Sequence, residues 1–335
     1  MSTSYRGPLA ELSDDQKVLR DELRRHVEAL AGKIGERNLR HGDSLQQAAH
    51  YLEDSVTAAG LSVTRQTYQV GGQACANLQV EITPAEEIPP PAAAALSMPG
   101  DEKVGEGGRE PRSGAPRTFE EIVVIGAHYD TVSGSPGAND NASGVAALLA
   151  LARRFAGRPV RRTLRFVAFA NEEQPYFQTG SMGSRVYARG CRQRNEDIVA
   201  AISLETIGYY SDAPGSQRYP PLLSTFYPTT GNFIGFVGDL RSRPLVDQVT
   251  AAFRRHARFP SEKGALPSGL PGVGWSDHWS FWQEGYPGVM VTDTAPYRYP
   301  HYHLASDTPD RIDYERLARV VDGLVGVVGE LVHRP

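Results

Sequence analysis

A chain of 335 residues, 40% hydrophobic and 22% charged, can bury a large core, so one big domain with or without insertions is expected and disorder is not. Its 35 Lys and Arg stand against 39 Asp and Glu with no basic block, which argues against a nucleic-acid groove or an anionic membrane surface as partner. No stretch approaches the roughly 20 apolar residues that cross a bilayer, and Met1 to Leu12 hold no signal-peptide core, so the expectation is a soluble, cytoplasmic protein.

Ser13 with Gln16 three positions on forms a capping-box pattern, and Leu19, Leu23, Val27 and Leu30 then recur at helical spacing toward Gly32. Leu45, Ala49, Leu52 and Val56 make the apolar stripe of a second helix, Asp43 to Ala59, with Gly60 placed to end it. Leu61 to Val70 is rich in β-branched and aromatic residues, and Leu78, Val80 and Ile82 alternate, so two strands follow. The composition then changes. From 84 to 118, Pro89 to Pro91, an alanine run and five glycines offer little to pack, which reads as a mobile insertion between residues 1–83 and 119–335 of one catalytic domain. Cys75 and Cys191 match no metal or redox spacing and are expected to be buried thiols.

Beyond the insertion, strand and helix alternate: a strand from Ile122 to Ala127, a helix from about Ser143 to Phe155, and strands from Thr163 to Ala170 and Ile198 to Leu204. Further strands are expected at Phe233 to Val237 and Gly288 to Val291. Pro244 after Ser242 opens one more helix, and the stripe Leu317, Val320, Val321, Leu324, Val328 and Leu331 makes another. Buried apolar runs separated by helices specify the α/β class, here a three-layer α/β/α sandwich whose mixed sheet has a parallel centre. Ligands of such sheets gather beyond the carboxyl ends of the strands.

Three of these strand ends carry metal-binding side chains: His128 and Asp130 after the first, Glu172 and Glu173 after the second, and Glu205 after the third. Between the first two, the polar loop Gly137-Ala138-Asn139-Asp140-Asn141-Ala142-Ser143-Gly144 delivers Asp140 just ahead of a helix. A buried carboxylate there needs a cation or several donors to offset its desolvation. Zinc accepts both imidazole nitrogen and carboxylate oxygen, and a catalytic zinc site keeps one position open. Any one of these residues alone would be an ordinary surface or core group. Their recurrence at successive strand ends is the signal.

The pieces His128-Tyr129-Asp130, Asn139-Asp140-Asn141-Ala142-Ser143-Gly144, Asn171-Glu172-Glu173, Leu204-Glu205-Thr206-Ile207-Gly208 and Tyr302-His303 resemble, in order, the motifs of metallopeptidase family 28. These are the co-catalytic zinc aminopeptidases related to glutamate carboxypeptidase, and the resemblance spans about Ile122 to His303. It implies the zinc aminopeptidase fold and two Zn2+ per chain, with Asp140 bridging both, His128 and Glu205 completing one site, and Glu173 and His303 the other. His303 is preferred to His301 because the pair Tyr302-His303 matches the family. Glu172 falls where the family has its general base, and Tyr302 where relatives stabilise an oxyanion. The resemblance also implies a strained peptide between Asp140 and Asn141, cis being one form it could take. Asp130 is expected to accept the second imidazole N–H of His128. Asp277 and His278, in a segment that lines the pocket in relatives, and Tyr209, in a loop, are candidate substrate contacts.

The function implied is a zinc exopeptidase, foremost an aminopeptidase acting on a peptide or small amide. A carboxypeptidase or amide deacylase on the same metals is a variant. A one-zinc glutaminyl cyclase, an acyltransferase, is the alternative from another class, and the complete ligand set with the intact Asn141-Ala142-Ser143-Gly144 argues against it. A non-catalytic binding module of this fold would have shed Glu172 and the ligands, which this chain keeps.

Overall fold

Ser13 caps the first helix, α1 (Asp14–Val27), as its spacing from Gln16 requires: the Gln16 N–H donates to Ser13 Oγ, and the Ser13 N–H donates back to Gln16 Oε1, both at 3.2 Å. The computed structural model describes residues 3–84, 120–221 and 223–333, so the expected insertion at 84–118 lies, but for Pro84, outside the described residues. Leu19, Leu23 and Val27 of α1 are buried, and the coil then widens into a π-helical turn, Glu28–Ile34. Helix α2 (Gly42–Ala58) buries Leu45, Ala48, Ala49, Leu52 and Val56, and Gly60, at φ +77°, ends it in a backbone region that only glycine enters freely.

Eight strands form one sheet: β1 (Val63–Val70), β2 (Gln73–Ile82), β3 (Glu121–His128), β4 (Thr163–Phe169), β5 (Asp197–Glu205), β6 (Ile234–Asp239), β7 (Ser261–Leu266) and β8 (Gly288–Thr292). Their spatial order is β1-β2-β4-β3-β5-β8-β6-β7. The four central strands β4, β3, β5 and β8 run parallel, whereas β2 joins β4 and β6 joins β8 antiparallel. The sheet is therefore mixed with a parallel centre, as the apolar runs require. Strand β7 had no signature in the sequence: Ser261–Leu266 is an edge strand with a glycine and two charged residues.

Alternation on β3 shows how the layers are filled. Val123, Ile125 and Ala127 point into the larger core, shared with α1, α2, α3 (Gly144–Phe155), α5 (Arg243–His256) and α8 (Tyr314–His333). Ile122 and Val124 point the other way, into a smaller core with Tyr187 and Cys191 of α4 (Gly183–Gln193) and Phe281 of α6 (His278–Trp282). Each such Val or Ile, fully buried, stabilises the fold by about 1.5–3 kcal/mol. A short α7 (Ala295–Arg298) follows β8. Both cysteines are buried thiols, as expected. No helix among the described residues is long and apolar enough to cross a membrane.

Candidate metal centre

The parallel strands β3, β4 and β5 end side by side, so the residues that follow them converge. His128 closes β3, Glu205 closes β5, and Glu172 and Glu173 follow β4 within four residues. Asp140 arrives from the loop before α3, whose path is fixed through the backbone. The Asp307 carboxylate accepts the N–H groups of Asn139 at 2.8 Å and Asp140 at 3.1 Å, and the Asn139 side chain donates to Asp293 at 2.9 Å. The Asp140–Asn141 peptide is cis. Asn141 ties this loop to β5, donating to the Leu204 carbonyl at 2.8 Å and accepting the Thr206 N–H at 3.0 Å. Gly144 leaves room for that contact, since a Cβ there would sit 2.4 Å from both Asn141 Oδ1 and the Leu204 carbonyl. Asn171, Thr206, Thr294 and His303 all have positive φ without being glycine, a strain that collects where a site imposes it.

Two groups of ligand atoms result: His128, Asp140 and Glu205, and Asp140, Glu173 and His303. Asp140 belongs to both. His128 Nε2 lies 3.3 Å from one Asp140 oxygen and 3.3 Å from Glu205, and His303 Nε2 lies 3.1 Å from the other Asp140 oxygen and 3.4 Å from Glu173. His301 turns away toward Ser306, at 2.9 Å.

Acidic oxygens and imidazole nitrogens packed this closely suit a cation. Two atoms make the case: His128 Nε2 and Glu173 Oε1 are buried without a hydrogen-bond partner among the described residues. His128 Nδ1 is held by the Asp130 backbone carbonyl at 3.2 Å, with the Asp130 carboxylate at 3.5 Å, so Nε2 is left facing the cluster. The Asp130 carboxylate instead accepts the backbone N–H groups of Glu172 at 3.0 Å and Glu173 at 3.1 Å. Zinc or another borderline divalent ion fits this donor set of imidazole and carboxylate.

The charges of the cluster act on one another. Burial would depress His303, but Asp140 and Glu173 lift it to about 10. Burial also opposes His128, and the carboxylates of Glu205 and Glu172 override it, holding the ring well above its usual range. Burial, reinforced by Asp140, pushes Glu173 up to about 7. Glu172 stands 3.9 Å from His128 Nε2 and outside both ligand groups. Burial pushes it well above the carboxylate range, with Glu173, Glu205 and Asp277 adding to the effect and His128 opposing it. The Tyr302 ring stacks on His303 at 3.8 Å and faces the same carboxylates.

Of the three candidate substrate residues, Asp277 lies near enough to the cluster for its field to act on Glu172. Asp277 is buried with both carboxylate oxygens unpartnered among the described residues, and desolvation pushes it up to about 7. His278 turns to the Val273 carbonyl at 2.8 Å, and Tyr209 packs on Tyr299 with ring centroids 4.8 Å apart. The recess that opens beside the cluster is walled by Glu205, Tyr302, Tyr219, Leu223, Trp275 and others, none of these three among them.

Other parts of the site, apart from Ser276 in the segment of Asp277 and His278, had no signature in the sequence. Ser276 donates to Glu205 at 2.7 Å, and Asp293 and Asp307 fix the Asp140 loop. Arg37, fully buried, donates to the carbonyls of Tyr129, Leu30, Gly35, Pro136 and Gly137, joining the end of β3 to that same loop.

An α/β sandwich with a carboxylate shared between two histidine-bearing groups at its strand ends has the build of a metal-dependent enzyme. The chain matches the model of Peptidase family M28 over residues 111–328. It is 34% identical over 314 residues to the uncharacterized protein YfbL of Escherichia coli (strain K12), covering 91% of this chain and 86% of that one. It is 26% identical to a probable leucine aminopeptidase of Arthroderma otae over 69% of its length, spanning 60% of that protein. Among solved structures, a zinc aminopeptidase from Bacillus subtilis shares the fold with a TM-score of 0.65 at 16% identity, covering 94% of this chain and 95% of that one. A Fimbriiglobus ruber glutaminyl cyclase shares it with a TM-score of 0.62 at 20% identity, covering 97% of each. The chain belongs to peptidase family M28 and is a metallopeptidase.

Proposed function

We propose that this metallopeptidase is a di-zinc aminopeptidase that releases the N-terminal residue of a peptide or small amide. The observation that carries the reading is the division of Asp140: one oxygen faces His128 beside Glu205, the other faces His303 beside Glu173, and Glu172 belongs to neither group. His128, Asp140 and Glu205 would hold one zinc, and Asp140, Glu173 and His303 the other. When bound, zinc supplies Lewis acidity that polarises the scissile carbonyl and lowers the pKa of water. The leucine aminopeptidase relative supports the N-terminal direction of attack. The same reading takes residues 1–83 and 119–335 as one catalytic domain, since β1 and β2 lie in one sheet with β4.

Glu172 then has one task. Buried, close to the ligands and unligated, it takes the proton of the attacking water and passes it to the leaving amine, a shuttle worth about 10²- to 10⁴-fold in rate. The Tyr302 phenol, held against His303 and opening onto the recess, donates to the oxyanion that forms as the carbonyl is attacked. Asp130 positions Glu172 and Glu173 through their backbone and His128 through its own carbonyl.

A panel of chromogenic amides, with free and blocked amino groups, measured with chelator and after zinc add-back, tests this reading. Cleavage of the free-amine amides, lost with chelator and restored by zinc, is expected. Cleavage of blocked amides alone would make the protein a deacylase, and cyclisation of N-terminal glutamine without cleavage would make it an acyltransferase.

A further inference from the structure

One rung of the sheet runs from the candidate metal centre to the sheet edge. In register across four strands, Glu205 of β5 pairs with Thr292 of β8, Thr292 with Gly235 of β6, and Gly235 with Glu262 of β7. Directly paired residues share a face of the sheet, and all four line the recess beside the cluster. The recess encloses about 810 Å³, counting its open mouth, and its walls are mostly apolar, among them Leu223, Val237 and Met290. Gly235, without a side chain, keeps its floor low between the two glutamates. At about 4.8 Å per strand, Glu262 lies three steps, roughly 14 Å, from Glu205. A long substrate side chain and the side chain of Glu262 together close such a distance from a backbone held at the cluster.

Glu262 is half-buried at the edge end of this rung and makes no ion pair within 4 Å among the described residues. The side chains of its neighbours on β7 are already engaged. Lys263 pairs with Asp247 of α5, and Ser261 accepts from Arg254 Nε at 3.0 Å. Burial pushes the Glu262 carboxyl above the usual range, opposed by the fields of Arg254 and Arg6, which line a second cavity with it. The rings of Tyr219 and Tyr227 stack beside it, with centroids 5.7 Å apart, and Tyr227 is fixed by a 3.0 Å hydrogen bond to the Lys263 carbonyl. Both tyrosines line the recess. An apolar shaft that ends on an aromatic pair and an unpaired carboxylate has the chemistry of a receptor for an alkyl chain with a cationic end.

We infer that Glu262 is a specificity-determining residue, and that the recess takes the side chain of a substrate's N-terminal lysine or arginine. The alkyl stem lies over Gly235 and Thr292, and the ammonium or guanidinium meets Glu262 beside Tyr219 and Tyr227. This inference rests on the aminopeptidase reading.

The test compares the lysine and norleucine 4-nitroanilides, which share a side-chain stem but differ in charge, on the zinc-loaded enzyme. In the wild type, kcat/KM for lysine exceeds that for norleucine by about tenfold, the effect of one partly desolvated charge contact. Glu262→Gln brings the ratio close to one, and Glu262→Lys drives it below one. Because each protein is its own reference, general damage from a substitution cancels in the ratio. A wild-type ratio at or below one, or a ratio unchanged in an active Glu262→Gln variant, overturns the inference and leaves the aminopeptidase reading standing. Failure of the wild type to cleave either amide overturns the aminopeptidase reading itself, and the inference with it.

Discussion

The carboxylate of Asp130 holds the backbone N–H of Glu172 at 3.0 Å, so the position of Glu172 is set from behind and does not depend on its own side chain. Its other oxygen holds Glu173 in the same way, at 3.1 Å, and one short carboxylate thus aims two neighbouring glutamates in different directions. Glu173 enters a ligand group and Glu172 does not.

Glu172→Gln should therefore fold and load metal like the wild type, while kcat falls by about 10²- to 10⁴-fold. Metal content by plasma emission and steady-state kinetics on the same preparation check this. Retained turnover at normal metal content would remove Glu172 from the chemistry.

Zinc binding should release protons. In the metal-free protein the carboxylates hold His303 at about 10 and His128 well above the usual range, so both rings are protonated at pH 7, and Glu173, at about 7, is protonated in part. A ligand must give up its proton to bind, so affinity rises with pH until these groups are deprotonated and falls in acid. Titration calorimetry at pH 7 in buffers of different ionisation enthalpy should report release of more than one proton per chain. A heat independent of buffer would contradict it.

Arg37 is buried among carbonyl groups and makes no ion pair within 4 Å among the described residues, and burial pushes its pKa down to about 10 against the fields of Asp307, Asp130 and Asp140. Arg37→Met leaves five carbonyls without that donor and should cost about 3 kcal/mol or more, since a single buried orphan costs about 1–3. Urea denaturation measures the loss, and zinc affinity should weaken with it, because Gly137 and Tyr129 flank the loop and strand that carry Asp140 and His128. Unaltered stability would show that water replaces the guanidinium.

The strand ends were legible because apolar runs mark where strands stop, and side chains of the types that can bind metals followed those stops at His128, Glu173 and Glu205. The helices with clear stripes, such as α2 and α8, were found within a few residues. What escaped depends on long-range contact. Asp307 and Asp293 act on a loop more than 150 residues away, and nothing local distinguishes them from surface aspartates. Edge strand β7 lacks alternation because its Glu262 and Lys263 meet a recess and a helix, not a core. Asp277 and His278 were named from the resemblance of their segment to a pocket-lining one and Tyr209 from its place in a loop, and neither ground fixes the direction of a side chain: His278 faces a carbonyl, Tyr209 a second tyrosine.

Diffraction from crystals of the zinc-loaded protein, recorded on both sides of the zinc absorption edge, addresses the centre most directly. Two anomalous peaks per chain are expected, one among His128, Asp140 and Glu205 and one among Asp140, Glu173 and His303. A single peak, or peaks away from Asp140, would contradict a shared two-metal site.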